Sequence, residues 1–586
     1  MIGPALAEQA ALAGIDLSPR WHGAPEVSAA TVEALVAALG TGEPSAAGPR
    51  QAYWPDALGG RRVFGLALQL YQLRSPRNFG IGDLGDLQAL VPSLAGAGCD
   101  FVGLNPLHAL FLADPERASP FSPSDRRFLN PLIIAADQLP GVISPQDAGA
   151  TDASLTIDYA GAACAKLTAL RAAWAVWRTS TAVADADHRA FAAFKAEGGA
   201  ALHDFARFEA LSHHMAGEGH GAGWGGWPAP YQDARSAEVA QFCQHAADEV
   251  EFHTFLQFIA ARQVGETQAM MTAAGMAVGL YLDLAVGAAP DGAATWAAPD
   301  LVMRGVRIGA PPDLFSSTGQ DWGLVPFSPT ALVAEEHRPY MAMLAAVMAP
   351  AGAMRIDHVM GLERLYLIPD GVNATAGAYV AQPGLVDAVV EASNAHKAIA
   401  IGEDLGVVAP GFRGRMAARR ILSMRVIPFE HVGRHAKAPA AYPASSMACL
   451  STHDIAPLEA WWLGDDIDLR QKLGQLTADD ERGARHGRAV EAARLLQLCG
   501  LPPSRAHGAI TDDIVVAFHR LASRTASQLM AVRLEDVLGG RRLVNLPGTD
   551  REHTNWRHTL PLTVDDIAGS ECLHRVFDAV RRVRGR

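Results

Sequence analysis

Three short apolar runs in this chain lead into carboxylates. They are Ala353-Met354-Arg355-Ile356-Asp357, Ala398-Ile399-Ala400-Ile401-Gly402-Glu403, and Met447-Ala448-Cys449-Leu450-Ser451-Thr452-His453-Asp454. Asp357, Glu403 and Asp454 recur at intervals of roughly fifty residues, enough for a strand, a helix and their loops. A parallel barrel built from such units gathers the C-terminal ends of its strands at one face, where the active site lies. Three acids far apart in sequence then converge on one substrate. Arg355 and Asp357 stand two positions apart, so a strand points both to one face and Ile356 to the other. An arginine beside a carboxylate keeps it ionised and oriented, as a carboxylate nucleophile requires. A structural ion pair at a strand end would use the same two residues.

Glycoside chemistry uses acids in this number. One carboxylate attacks the anomeric carbon and a second protonates the leaving oxygen. A third can steady positive charge on the sugar. The stretches RIDHVMGLERLYLIP, IGEDLGVV and STHDIAPLEAWW together resemble the three active-site motifs of the amylomaltases. These are the 4-alpha-glucanotransferases or disproportionating enzymes of glycoside hydrolase family 77. STHDIAPLEAWW is most similar to their bacterial maltodextrin-metabolising branch, and the resemblance runs over about residues 60 to 560. It implies an α/β fold, a (β/α)8 TIM barrel with inserted, mainly helical subdomains. It also implies Asp357 as nucleophile, Glu403 as acid/base and Asp454 as transition-state stabiliser.

The totals fit this reading. Hydrophobic content of 49% suits a large packed core within the 586 residues. Lys+Arg 49 against Asp+Glu 62 gives a net charge of −13, which argues against a nucleic-acid surface. The six cysteines are scattered without a CxxC pair, as in a reduced, cytoplasmic protein. No apolar run is long enough to span a bilayer, and the N-terminus lacks the basic and apolar regions of a secretory signal.

Residues 1–57 read as a small N-terminal helical module, with helices over Ala5 to Gly14 and Ser28 to Leu39 and a possible cap at Ser28. A loop rich in Gly, Pro and Ala follows at Gly40 to Arg50. Relatives of this branch often insert a β-rich domain next, whereas this chain passes into the barrel, residues 58–586. Barrel strands are expected at Val63 to Leu70, Asp100 to Leu107, Met276 to Ala285, Met424 to Pro428 and Leu529 to Leu534, besides the acid-tipped runs. The turn FGIGDLGDL looks superficially like a phosphate loop but lacks the Lys and the GxGxxG order.

Residues from about 150 to 275 read as a helical insertion, with a core-facing stripe of Phe252, Phe255 and Phe258. Within it, Trp224 and Trp227 could stack on sugar or pin their Gly-rich loop. The helical, charged stretch from about Asp465 to Leu498 reads as a solvated surface.

The family resemblance places several substrate contacts. Phe121, in the loop SPFSPSDRRFLNP, stands where many members carry Tyr; ring stacking survives but the hydroxyl contact is lost. Asp283 on the third strand is a supporting carboxylate, and Arg355 a substrate-site residue. His358 and His453 adjoin catalytic acids and are expected to hydrogen-bond sugar hydroxyls. The stretch from about 309 to 326 resembles a flexible lid whose sugar contacts are Gln320 and Trp322. Asn545, in the closing motif NLPGT, is a further sugar contact. No β-sandwich is expected after the barrel. No HExxH or Cys/His spacing occurs, so neither metal nor organic cofactor is expected.

The expected substrates are α-1,4-glucans such as maltooligosaccharides, amylose and glycogen, with glucose as an acceptor, and no membrane partner. An α-glucan hydrolase on the same barrel would use the same three acids. A catalytically silent glucan binder would not need them.

Overall fold

The computed structural model describes residues 2–17, 27–39, 50–143, 155–179, 185–312, 318–433, 435–549 and 552–585. Eight short parallel strands close into a barrel: β1 (Val63–Leu68), β2 (Phe101–Leu104), β3 (Gly279–Leu284), β4 (Ala353–Ile356), β5 (Ile399–Gly402), β6 (Leu422–Val426), β7 (Ser446–Cys449) and β8 (Leu529–Arg533). Each pairs with its neighbours in chain order, and β8 pairs with β1 to close the ring. Strands buried on both sides read as continuous apolar runs, which is why they are legible in the sequence.

Alternation sorts the two faces. Ala353, Ile399, Ile401, Met447, Cys449 and Tyr281 fill the barrel interior. Met354, Ile356, Ala400, Leu280 and Leu282 face outward into the core beneath the surrounding helices. Arg355, Asp357 and Asp283 therefore continue the inward rows of β4 and β3. Gly103 on β2 leaves room for the Tyr281 ring, whose Cδ1 would lie 2.6 Å from a Cβ at that position.

The expected second strand ends early, at Leu104. Asn105 turns its side-chain oxygen to the Leu70 N–H at 2.8 Å, and Pro106 has no N–H to continue a ladder. Four longer helices, Tyr159–Thr179, Asp185–Gly217, Ala237–His245 and Ala247–Ala273, lie between β2 and β3. Phe252, Phe255 and Phe258 are buried there, as the stripe predicts, among Trp174, Trp177 and Phe191. The two indoles of the Gly-rich loop pin it. Trp227 is buried and donates to the Gly221 carbonyl, and Trp224 donates to Thr295 Oγ1.

The turn FGIGDLGDL is a helix cap, not a phosphate loop. Asp83 accepts from the N–H groups of Gly85 and Asp86, and Asp86 answers the Asp83 N–H. Arg77 bridges Asp83 and Asp86 at 2.7 and 2.9 Å. Lys166, fully buried on the first of the long helices, reaches Asp83 Oδ2 at 2.9 Å and the Leu132 carbonyl at 2.8 Å.

The N-terminal helices span Pro4–Leu12 and Ala29–Leu39, the second capped by Ser28 Oγ on the Thr31 N–H. The Gly40 to Arg50 loop lies outside the described residues except for Arg50. Between the helices, Ile15–Asp16 forms one edge of a five-stranded antiparallel sheet beside the barrel mouth. The order runs Ile15–Asp16, Ala378–Ala381, Arg364–Pro369, Val306–Ala310, Gln320–Leu324. The expected flexible lid is thus, in its described parts, a paired hairpin; residues 313–317 lie outside the description.

Lys166 is a fully buried charge that ties the first of the long helices to the cap of the first barrel helix. Lys166→Met should lower folding stability by about 3 kcal/mol, the low end for breaking a buried pair because Arg77 still holds Asp83. Chemical denaturation reads this directly. An unchanged midpoint would mean that Lys166 contributes nothing to the junction.

Candidate active site

Arg355, on the inward row of β4, is almost fully buried. Its Nη1 donates to both oxygens of Asp283 at 2.7 Å, and its Nη2 donates to Asp357 Oδ1 at 3.0 Å. The pairing expected between Arg355 and Asp357 is present, but the closer partner is Asp283. The β3–β4 register places Asp283 directly beside Arg355. One guanidinium thus orients two carboxylates at neighbouring strand ends.

Past β4 the chain turns through His358 with left-handed φ 47°. That turn aims the His358 N–H at Glu403 Oε2, 3.0 Å away. The Leu405 N–H takes Glu403 Oε1 at 3.1 Å, and the Val359 N–H takes the Glu403 carbonyl at 3.0 Å. The ends of β4 and β5, which carry Asp357 and Glu403, are therefore stitched together by backbone donors. Across the mouth, beyond β7, Asp454 accepts from Asn545 Nδ2 at 2.7 Å and lies 3.2 Å from His453 Nε2. Asn545, expected to contact sugar, directs its amide nitrogen to Asp454.

Burial raises Asp357 to about 6; Arg355 opposes the shift, and the charges of Asp283 and Asp454 add to it. Burial likewise raises Glu403 to about 8, with Arg355 opposing and Asp357 and Asp454 adding. The two acids are pushed apart, so near neutrality Asp357 is ionised and Glu403 protonated. Burial alone would raise Asp454, but His453, Asn545 and Arg355 hold it well below the usual carboxylate range. Burial lowers His358 to about 4, which leaves its ring neutral with one donor and one acceptor nitrogen. The arrangement thus offers an ionised carboxylate, a carboxylic acid and a second fixed negative charge around one opening.

Aromatic rings line two sides. Phe121 lies 4.7 Å from the His453 ring and 5.3 Å from Trp556. On the other side Trp322 meets His358 edge-on at 5.1 Å, and its Nε1 donates to Gln320 Oε1. Among the described residues, no group of three or more His, Cys, Asp or Glu side chains is placed to hold a metal. No helix of the described residues is long and apolar enough to cross a membrane.

Three further residues shape the mouth, and sequence reasoning assigns a role to none of them. Trp556 completes the wall beside His453. Arg533, buried at the end of β8, donates through Nη1 to Ser451 Oγ and to the carbonyls of Thr452 and Ile455. Asp536 accepts from Ser451 Oγ and the Leu458 N–H. Arg533 and Asp536 thus clamp the loop that carries His453 and Asp454. Arg533 sits in an apolar run without a spacing signal, so only the β7–β8 pairing reveals its target.

A family profile described as 4-alpha-glucanotransferase matches residues 68–563. The chain belongs to this family. It is 38% identical over 562 residues to the 4-alpha-glucanotransferase of Mycobacterium tuberculosis, covering 90% of this chain and 76% of that one. The 4-alpha-glucanotransferase of Haemophilus influenzae is 33% identical over 565 residues, covering 92% and 81%. Among solved structures, the amylomaltase of Corynebacterium glutamicum superposes with a TM-score of 0.78 at 27% identity, covering 91% of this chain and 77% of that one. The amylomaltase of Streptococcus agalactiae in complex with acarbose shares the fold, with a TM-score of 0.73 at 20% identity, covering 90% and 100%.

Arg533→Lys keeps the charge but loses the planar fork. A misplacement of about 1 Å at a catalytic group can cost roughly 10²-fold. The variant should therefore lose on the order of 10²-fold in kcat/KM on maltotriose while its circular dichroism stays unchanged. Wild-type kinetics would show that the Asp454 loop holds its place without Arg533.

Proposed function

We propose that this protein is a retaining 4-alpha-glucanotransferase that moves α-1,4-glucan segments between maltodextrins. The observation that carries the reading is the convergence of Asp357, Glu403 and Asp454 at one barrel mouth, each held by its own donors. Asp357 attacks the anomeric carbon of the donor while Glu403 gives its proton to the glycosidic oxygen, and the reducing-end fragment leaves. The glucosyl ester on Asp357 is then attacked by the 4-hydroxyl of an acceptor. That hydroxyl's proton passes to Glu403, the ester breaks, and the new bond has the configuration of the old. Asp454 faces the positive charge that grows on the sugar ring. Maltooligosaccharides, amylose and glycogen are the proposed donors and acceptors, with glucose as the smallest acceptor.

Transfer must outrun hydrolysis, since water is in vast excess. A bound acceptor achieves this when it is well oriented; effective concentrations of ~10⁵ M or more are attainable. Trp322 gives a flat face for an acceptor ring beside His358, and Phe121, His453 and Trp556 border the opposite side. The scattered cysteines suit a reducing compartment, and the proposed site of action is the cytoplasm.

Maltotriose as sole sugar tests the reading. Transfer yields glucose plus a ladder of longer dextrins, hydrolysis yields only shorter sugars, and a silent binder yields nothing. A product mixture without any chain longer than maltotriose would overturn the proposal. Asp357→Asn should abolish the ladder in a folded protein, and a folded variant with wild-type rate would remove Asp357 from the nucleophile role.

The pH dependence follows from the two raised acids. Below about 6 Asp357 gains a proton and loses the negative charge that makes it a nucleophile; above about 8 Glu403 loses the proton it must donate. The rate of disproportionation should therefore be bell-shaped with its maximum near neutrality. A rate still rising well above pH 8 would contradict the assignment of Glu403 as the acid.

A further inference from the structure

We infer that Val32 and Leu35 of the N-terminal helix are positioning residues for the transfer reaction, acting through the sheet that holds Trp322 beside His358. The inference rests on the proposed acceptor role of Trp322. The five-stranded sheet has the N-terminal strand Ile15–Asp16 at one edge and the Trp322 strand at the other. One apolar cluster runs beneath it. Val32, Leu35, Leu39 and Ile15 pack there with Ile308 and Leu324 of the hairpin, and Trp322 lies at the cluster's margin. The register with Val306–Ala310 shifts between Ile308 and Gly309, yet along Gln320–Leu324 it is Gln320, Trp322 and Leu324 that are turned from solvent, while Asp321 and Gly323 are exposed. The residue that anchors the strand in the cluster is thus two positions from the indole.

Polar contacts fix the same junction. Thr31 Oγ1 donates to the Ala376 carbonyl at 2.8 Å, Arg364 Nη1 pairs with Asp16 Oδ2 at 3.0 Å, and Thr330 Oγ1 donates to the Leu39 carbonyl. The hairpin needs this backing. Gln320–Leu324 is the edge strand of the sheet, paired on one side only, and Gly319 and Gly323 adopt left-handed φ of 73° and 66° on either side of Trp322. Its own backbone therefore does little to fix the indole; the strand is held by its pairing to Val306–Ala310 and by the apolar cluster that Val32 and Leu35 complete from the side of Arg364–Pro369. Contacts then continue from Trp322 to the His358 ring, and from the His358 N–H to Glu403. The catalytic acids themselves stand on the barrel. Loosening the N-terminal helix should spare formation of the ester and impair capture of the acceptor.

The test uses full-length Val32→Ala/Leu35→Ala, with maltotriose as sole sugar. The readout is the ratio of new reducing ends to glucose released, because hydrolysis creates reducing ends and transfer does not. The ratio should rise at least threefold, and the KM for glucose as acceptor should rise while release of fluoride from α-maltosyl fluoride stays within twofold. Leu170→Ala, a comparable loss of packing within the helices between β2 and β3, should leave the ratio unchanged. In a Trp322→Ala background the double substitution should add nothing.

A ratio unmoved by Trp322→Ala would overturn the acceptor role of Trp322. A ratio that rises in Trp322→Ala but not in Val32→Ala/Leu35→Ala would overturn this inference alone. Should the double variant fail to fold, Leu35→Val and Thr31→Val probe the same junction more gently. A wild-type ratio and acceptor KM in both would equally overturn the inference.

Discussion

One buried guanidinium sets the terms for this active site. Arg355 reaches Asp283 with one nitrogen and Asp357 with the other, at the ends of two adjacent strands. Carboxylates packed this closely repel one another, and burial weakens each as an anion. Arg355 offsets part of that penalty but leaves Asp357 and Glu403 raised by unequal amounts. The inequality is what the proposed mechanism needs: one acid ionised and one protonated within the same opening. Because Asp283 takes the closer share of the guanidinium, Asp357 is oriented without being fully neutralised. A carboxylate locked into a tighter, two-pronged pair would be a poorer nucleophile.

The barrel makes this possible by placing residues that sequence holds far apart. The β3–β4 register sets Asp283 beside Arg355, and backbone donors past β4 reach Glu403 past β5. Asp454 comes from the far side of the mouth. Its loop is held from β8 by Arg533 and Asp536 and from the closing segment by Asn545. Glu403 and Asp454 are thus held by elements beyond their own strands, and Asp357 by an arginine of its own strand that Asp283 steadies from the next. Placement of this kind exists only in the closed fold.

Much of this was legible in the chain, and the exceptions have physical reasons. The acid-tipped strands are legible because a strand buried on both faces is continuously apolar and then stops being so at the mouth. Arg355 and Asp357 are legible as a pair because a two-residue spacing shares a face. That Arg355 prefers Asp283 is not legible, because the contact depends on strand adjacency. Asn545 reads as a sugar contact from its motif, and only the fold shows its amide on Asp454. The segment from 309 to 326 reads as a flexible loop from its Gly, Ser and Pro. Its strands form because Arg364–Pro369 and the N-terminal helix supply a partner and a core from elsewhere in the chain. Trp556 adopts a left-handed φ of 62°, a conformation that local propensity would not assign to an indole.

The account stands or falls on where the sugar is held between the two half-reactions. In Glu403→Gln, α-maltosyl fluoride can still glycosylate the nucleophile, since fluoride leaves without a proton. The missing base then slows attack on the ester, and the ester accumulates. Intact mass spectrometry should show the protein gain one maltosyl residue, and peptide mapping should place it on the segment containing Asp357. Attachment at any other carboxylate, or rapid turnover with no adduct and an inverted product, would contradict the account.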